Sequence, residues 1–275
     1  MLLAQNKVIV ISGASSGLGR ALAIDAAQRG ARVVIIARRR NTLERLRNTI
    51  NDDGGNVIAF PIDISSPDAV IKAFSSIESL WGRIDILFNA AGTAEPIKRL
   101  EHVSNAELEQ SLRTNVLGLY LITRETVKRM LAKREGTIIN LTSGAGQKPY
   151  VGWSCYCSQK AAVDMFTKTV ALELEHKLIR IAAISPGPFE SRMQEVIRNT
   201  AEFQFPAKEK FVQLLQKNKL PSPETIAPVL LDVSLTDWPE LSGMVTDLRS
   251  EDFQLMCQKH GVKFPEIIAR KNLYA

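Results

Sequence analysis

Apolar and polar positions along the chain fall into two alternating rhythms. Short runs rich in Val and Ile occupy residues 8–11, 32–37, 56–62, 84–88, 136–141 and 179–184, with a weaker one at 244–248. Their hydrophobicity is nearly continuous, the pattern of strands covered on both faces. Residues 18–29, 42–51, 67–81, 105–133 and 155–176 instead carry apolar positions three and four apart, as amphipathic helices do. This alternation predicts an α/β fold: a doubly wound, Rossmann-type parallel sheet of seven strands with helices on both faces. No internal repeat or low-complexity linker divides the chain, so residues 1–275 read as a single domain. The rhythm breaks at 188–225, where Pro188, Pro206, Pro221 and Pro223 predict a helical flap over the sheet edge. Residues 251–275 form a C-terminal tail to which the pattern assigns no role.

Composition narrows the class. Hydrophobic residues make up 45% and charged residues 23% of 275, which excludes a disordered, collagen-like or disulfide-dense chain. The opening MLLAQNKVIVISG has no basic region before its apolar run and empties into a glycine turn, so it reads as a first strand and not a signal peptide. No window approaches the ~18–20 apolar residues that span a bilayer. A soluble, cytoplasmic protein without a membrane partner is expected. Cys155, Cys157 and Cys257 are too few for a disulfide framework, and the first two are one residue apart, not the two of a redox or zinc motif. His102, His176 and His260 are far apart, so no metal site is expected. The net charge of +6 raises nucleic-acid binding as a possibility, but no recognition module accompanies it. The densest basic run, Arg38-Arg39-Arg40, begins the helical stretch after the second strand.

Candidate chemistry lies at strand ends. The first strand runs into Ser12-Gly13-Ala14-Ser15-Ser16-Gly17-Leu18-Gly19, with a helix following at once. Such a loop is either a plain turn or a place where backbone N–H groups meet a pyrophosphate. Its spacing is neither the G-x-G-x-x-G fingerprint nor a Walker loop. After the second strand, Ala37 leaves empty the acidic position that holds a ribose 2′-OH, while Arg38 and Arg39 offer planar donors to a 2′-phosphate. NADP(H) is therefore expected over NAD(H); Arg40 reads as a solvated helix start. Asp63, followed by Ile64, is placed either to accept from an adenine amino group or to cap a turn. Asn89-Ala90-Ala91-Gly92, after the fourth strand, supplies small residues that let backbone sit against a ligand. Tyr156 and Lys160 are four apart and share a helix face, where an ammonium lowers the pKa of a phenol and suits it to proton transfer. Ser143 ends the fifth strand, and Pro186-Gly187 ends the sixth. Asn115, inside the stretch 105–133, is a poor helix-interior residue and marks either an exposed polar position or a kink.

Gly13/Gly17/Gly19, Asp63, Asn89-Ala90-Ala91-Gly92, Asn115, Ser143, Tyr156-x-x-x-Lys160 and Pro186-Gly187 stand in the order and spacing of the short-chain dehydrogenase/reductase family, which residues 5–250 resemble. The resemblance implies hydride transfer between a nicotinamide and a small carbonyl or alcohol. Tyr156 would be general acid/base, and Lys160 would hold the nicotinamide ribose and tune Tyr156. Ser143 would orient the carbonyl and Asn115 would support a relay water. It also implies a homodimer or homotetramer. The apolar faces of 105–133 and 155–176 would pair across a two-fold axis, with Val163, Phe166, Val170 and Leu174 as interface as well as core. Whether 188–225 closes over substrate stays open. Ser12 stands where Thr is usual and keeps the hydroxyl. The stretch 185–194 is similar to the sepiapterin and benzil reductase branch, which reduces vicinal dicarbonyls. Glu190, Ser191 and Arg192 replace that branch's Asp-Thr pair and further acidic residue, which argues against amine-bearing pterins. Tyr150 and Trp153 are either walls of an aromatic pocket or core. A contrasting reading is a catalytically idle NADP-binding sensor on the same fold, since fold alone does not establish chemistry.

Overall fold

Every apolar run expected as a strand forms one. They are β1 (Val8–Ser12), β2 (Arg32–Ile36), β3 (Asn56–Phe60), β4 (Ile86–Asn89), β5 (Glu135–Leu141), β6 (Leu178–Ser185) and β7 (Val245–Asp247). The helices are α1 (Gly17–Gln28), α2 (Arg40–Asp52), α3 (Pro67–Trp81), α4 (Asn105–Leu112), α5 (Gly118–Lys133), α6 (Ser154–Glu173), α7 (Arg192–Asn199), α8 (Lys208–Gln216), α9 (Pro223–Leu235), α10 (Glu251–Lys259) and α11 (Glu266–Ala269). The computed structural model describes residues 3–175 and 178–269, so His176 and the last six residues of the expected tail lie outside the described residues.

The strands make one all-parallel sheet in the order β3-β2-β1-β4-β5-β6-β7. Side chains alternate across it: Ile9 and Ile11 enter a core with α1, α2, α9 and α10, whereas Val8 and Val10 enter one with α3, α5 and α6. Burial on both faces is why these strands lack polar alternation. Local chemistry marks the helix ends. In α3, Pro67 begins the first turn beside Asp68, and Gly82 stops the helix in the left-handed region at φ 66°.

Two expectations change, and the tail, which the pattern left without a role, takes form. The stretch 105–133 is two helices joined by a wide π-type turn at Arg113–Leu117, because Asn115 is pinned to the backbone of Thr93 by bonds of 2.8 and 2.9 Å. Val163, Val170 and Leu174 are buried within this one chain and leave no surface for an interface; Phe166 is half-buried, stacked on Tyr120 at 3.9 Å. The described part of the tail is packed structure: Trp238 stacks on Phe253 and His260, and Phe253, Cys257, Val262 and Ile268 complete the first core. The segment 188–225 folds as α7 and α8 around a third cluster that includes Ile97, Trp153, Ile197, Phe205 and Phe211.

Candidate functional site

β1 pairs with β2 on one side and β4 on the other, so the connections diverge at its carboxyl end and leave a crevice there. A cavity of about 660 Å³ follows that edge. Gly13, at φ +71°, lies so close to the next strand's loop that a Cβ would sit 2.6 Å from the Ala91 nitrogen. Ser12 Oγ accepts from that same Ala91 N–H at 3.3 Å, which is the use of the hydroxyl at this position. Gly13, Ser15, Ser16, Gly17, Leu18 and Gly19 line this end. Ser16 at the start of α1 makes no side-chain cap, so the first-turn N–H groups face the cavity uncapped, a ready anion site.

Arg38 and Arg39 line the same end. Arg39 donates to both Ser15 Oγ and Ser16 Oγ at 3.0 Å, which holds its guanidinium over the glycine loop. Asp63 and Ile64 line the cavity as well, but Asp63 Oδ1 already accepts from the backbone and hydroxyl of Ser65, both at 2.8 Å. Half of that carboxylate is therefore a turn cap. Ala90, Ala91 and Gly92 line the middle. Asn89 does not, contrary to expectation: it is buried, and its amide donates to Thr123 Oγ1 and Asn140 Oδ1 at 2.9 Å, tying β4 to α5 and β5 beneath the site.

At the other end stand Tyr156, Lys160, Ser143, Pro186 and Gly187. Lys160 Nζ lies 5.8 Å from the centre of the Tyr156 ring and donates to the Leu141 carbonyl at 2.7 Å. Burial pushes the two groups apart in pKa. The phenol of Tyr156 is pushed up to about 12 by burial, with the Ser143 hydroxyl pulling against it and Cys157 adding to it. The ammonium of Lys160 is pushed down to about 8 by burial, partly opposed by Asp164. The direction is opposite to the lowered phenol expected from sequence, because loss of water around the phenolate outweighs the hydrogen bond with Ser143. Asn115 is buried behind the cavity wall beside Gly92 and does not line it.

Tyr150 and Trp153 both line the cavity, joined by Phe189 and Phe211, and Trp153 also packs on Phe205 at 4.5 Å. The two alternatives, pocket wall and core, hold at once for Trp153. Glu190 turns away into an ion pair with Arg198 at 2.9 Å, Ser191 caps α7 by accepting from Gln194 N, and Arg192 lines the cavity. Several lining residues escaped the sequence reading, among them Thr93, Glu95, Lys210, Phe211 and Arg249. Arg249 follows β7 and is gripped by Asp247 through bonds of 2.7 and 2.6 Å; its place just past a strand's carboxyl end was the signal available. Among the described residues no group of His, Cys, Asp and Glu is arranged to hold a metal, and no helix is long and apolar enough to cross a membrane.

Comparison with known proteins agrees with this geometry. The family described as short chain dehydrogenase matches residues 7–202. A benzil reductase of Bacillus subtilis, (S)-benzoin forming, is 33% identical over 253 residues, 88% of this chain and 98% of that protein. The 3-ketoacyl-(acyl-carrier-protein) reductase from Brucella melitensis, solved with NADH, is 29% identical at a TM-score of 0.76, covering 88% of this chain and 96% of that one. The L-sorbose reductase from Gluconobacter frateurii, solved with NADPH and L-sorbose, is 26% identical at a TM-score of 0.78, over 88% and 95%. With the cavity, glycine loop and fold in agreement, the chain belongs to the short-chain dehydrogenase/reductase family, oxidoreductases of carbonyl and alcohol groups that use a nicotinamide coenzyme, and resembles its benzil reductase branch.

Proposed function

We propose that this protein is an NADP(H)-dependent carbonyl reductase with Tyr156 as general acid/base, acting on a ketone or dicarbonyl with an aromatic part. The observation that carries the reading is one cavity with an uncapped helix start and two arginines at one end and Tyr156, Lys160 and Ser143 at the other. The residues fit a dinucleotide: Gly13 lets the glycine loop pack directly on the Ala90–Ala91 backbone at the cavity edge, and Ala37 brings no acid to repel a 2′-phosphate. Arg39, held by Ser15 and Ser16, favours the phosphorylated coenzyme. Asp63, Ile64, Ala90, Ala91, Gly92, Pro186 and Gly187 would hold the rest of it.

When bound, the coenzyme supplies a hydride to the carbonyl carbon. Tyr156 donates its proton to the carbonyl oxygen as that oxygen gains charge, and a phenol held near 12 carries that proton at neutral pH. The Lys160 ammonium steadies the phenolate left behind, and the Ser143 hydroxyl orients the oxygen. Asn115 acts from behind the wall. Tyr150, Trp153 and Phe211 offer flat faces to an aromatic ring, and α7 and α8 form the substrate cover.

The test is initial-rate consumption of NADPH, and separately NADH, with an aromatic 1,2-diketone and a 3-oxoacyl thioester. We expect turnover of the diketone that is faster with NADPH, and Tyr156→Phe should lower it at least about 100-fold while NADPH still binds. Binding of NADPH without turnover of any carbonyl would overturn the reading in favour of an idle sensor.

Exposed Leu117, Met165 and Leu172, with the Tyr120–Phe166 stack beside them, support a homodimer through α5 and α6. Sedimentation of wild type against Met165→Glu checks this: a dimer that becomes a monomer is expected, and a monomeric wild type at micromolar concentration would refute it. The free thiols Cys155, Cys157 and Cys257 suit a reducing, cytoplasmic setting.

A further inference from the structure

Gln159 sits between Tyr156 and Lys160 on α6, and neither the cavity nor the sequence motif assigns it a task. It is 2% exposed, in the middle of a buried polar chain whose direction is fixed at both ends. At one end the Leu108 carbonyl can only accept, so Ser111 Oγ donates to it at 3.0 Å. Gln159 Nε2 then donates to Ser111 Oγ at 2.8 Å, which turns Gln159 Oε1 toward Asn115. Asn115 Nδ2 donates to Gln159 Oε1 at 2.6 Å and to the Thr93 carbonyl at 2.8 Å, spending both of its hydrogens. At the far end the Thr93 N–H can only donate, and it does so to Asn115 Oδ1 at 2.9 Å.

The remaining lone pair of Asn115 Oδ1 faces an open space at Gly92. A Cβ built there would lie 3.4 Å from Asn115 Oδ1 and 3.9 Å from Lys160 Nζ, with no other atom within 4 Å beyond the neighbouring residues. The acceptor and the ammonium thus look into the same gap at the cavity wall. Thr93 fixes Asn115 relative to the loop after β4. Among the described residues, Gln159 makes the hydrogen bond that ties it to α6, the helix that carries Tyr156 and Lys160.

We propose that Gln159 is a positioning residue of the reductase site, clamping the Asn115 turn to the catalytic helix so that Asn115 Oδ1 stays aimed at the space beside Lys160. Side-chain amides do not relay protons, so the chain orients and does not conduct. Its effect is to hold an acceptor on the same gap as the Lys160 ammonium, which burial disfavours. This rests on the reductase reading given above.

Gln159→Met keeps the length and removes both polar groups. Steady-state kinetics of the variant with NADPH and the diketone should show kcat reduced about tenfold, with KM and NADPH affinity within about twofold, since the loss falls on the reacting arrangement and not on binding. Gln159→Glu retains an acceptor toward Asn115 and should restore kcat to within about threefold of wild type. Ser111→Ala, which frees the other end of Gln159 without altering α6, should lower kcat in the same direction. Unchanged kcat in Gln159→Met overturns the proposal and leaves the reductase reading standing. So does a joint fall of kcat, NADPH affinity and melting temperature that Gln159→Glu does not rescue, because that is a packing defect. A wild type that turns over no carbonyl overturns both.

Discussion

Burial at the Tyr156 end of the cavity costs stability to prepare chemistry. Lys160 holds its proton to about 8 in the folded chain and to 10.5 when unfolded, a difference worth ~3 kcal/mol against folding at neutral pH. Between pH 8 and 10 the unfolded chain binds more protons at this group, so its contribution to stability rises with pH. Above 10 Tyr156 works the other way, because its unfolded form ionises before its folded form. Urea midpoints measured from pH 7.5 to 9.5 should therefore climb in wild type and climb less in Lys160→Met. That variant should also be the more stable of the two at pH 7 while losing turnover; a less stable variant would show that the bond to the Leu141 carbonyl outweighs the burial. Arg39→Ala makes a second test at this scale. Removing a charge-assisted phosphate donor should weaken NADPH binding about tenfold, read by fluorescence titration, and leave NADH binding nearly unchanged. Tyr156, Lys160, Ser143 and the glycine loop were readable because their positions follow from strand ends and helix spacing. Gln159, Lys210 and Arg249 were not, since an isolated Gln, Lys or Arg carries no pattern until another segment is brought against it.

At the scale of elements, α1 and α9 are joined by a buried cation. Arg29, with no exposed side chain, makes a two-point contact with Asp25 at 3.0 and 2.8 Å and also pairs with Asp232 on α9. Burial raises Asp25, and the arginine opposes that rise. Arg29→Met leaves two carboxylates facing each other without their cation and should cost about 3–5 kcal/mol by denaturant unfolding. Part of that loss should return at acid pH, where protonation removes the repulsion. No hydrophobic pattern announces such a triad, for Asp232 lies 203 residues from Arg29 in the chain. The break at Asn115 was half readable: a poor helix former within an apolar rhythm signals irregularity, but only contact with Thr93 decides that it becomes a wide turn. The apolar face of α6 misled in the same way. Val163, Val170 and Leu174 have the periodicity of an interface, and a core has the same periodicity.

Across the whole molecule, the sequence by itself determined the alternation of strands and helices, the parallel sheet, and the chemistry gathered at its carboxyl edge. Each depends on nearest neighbours: burial on both faces fixes strand composition, and right-handed crossovers fix the order in which strands lie. The tertiary structure alone decided what depends on distant segments meeting. It turned Asn89 away from the cavity and into a bond with Asn140, and folded the tail's Phe253 onto Trp238. It brought Arg249 to the mouth of a site begun at residue 13. It also set the pKa values of Tyr156 and Lys160 in opposition, because desolvation is a property of everything packed around a group, and no spacing along the chain records it.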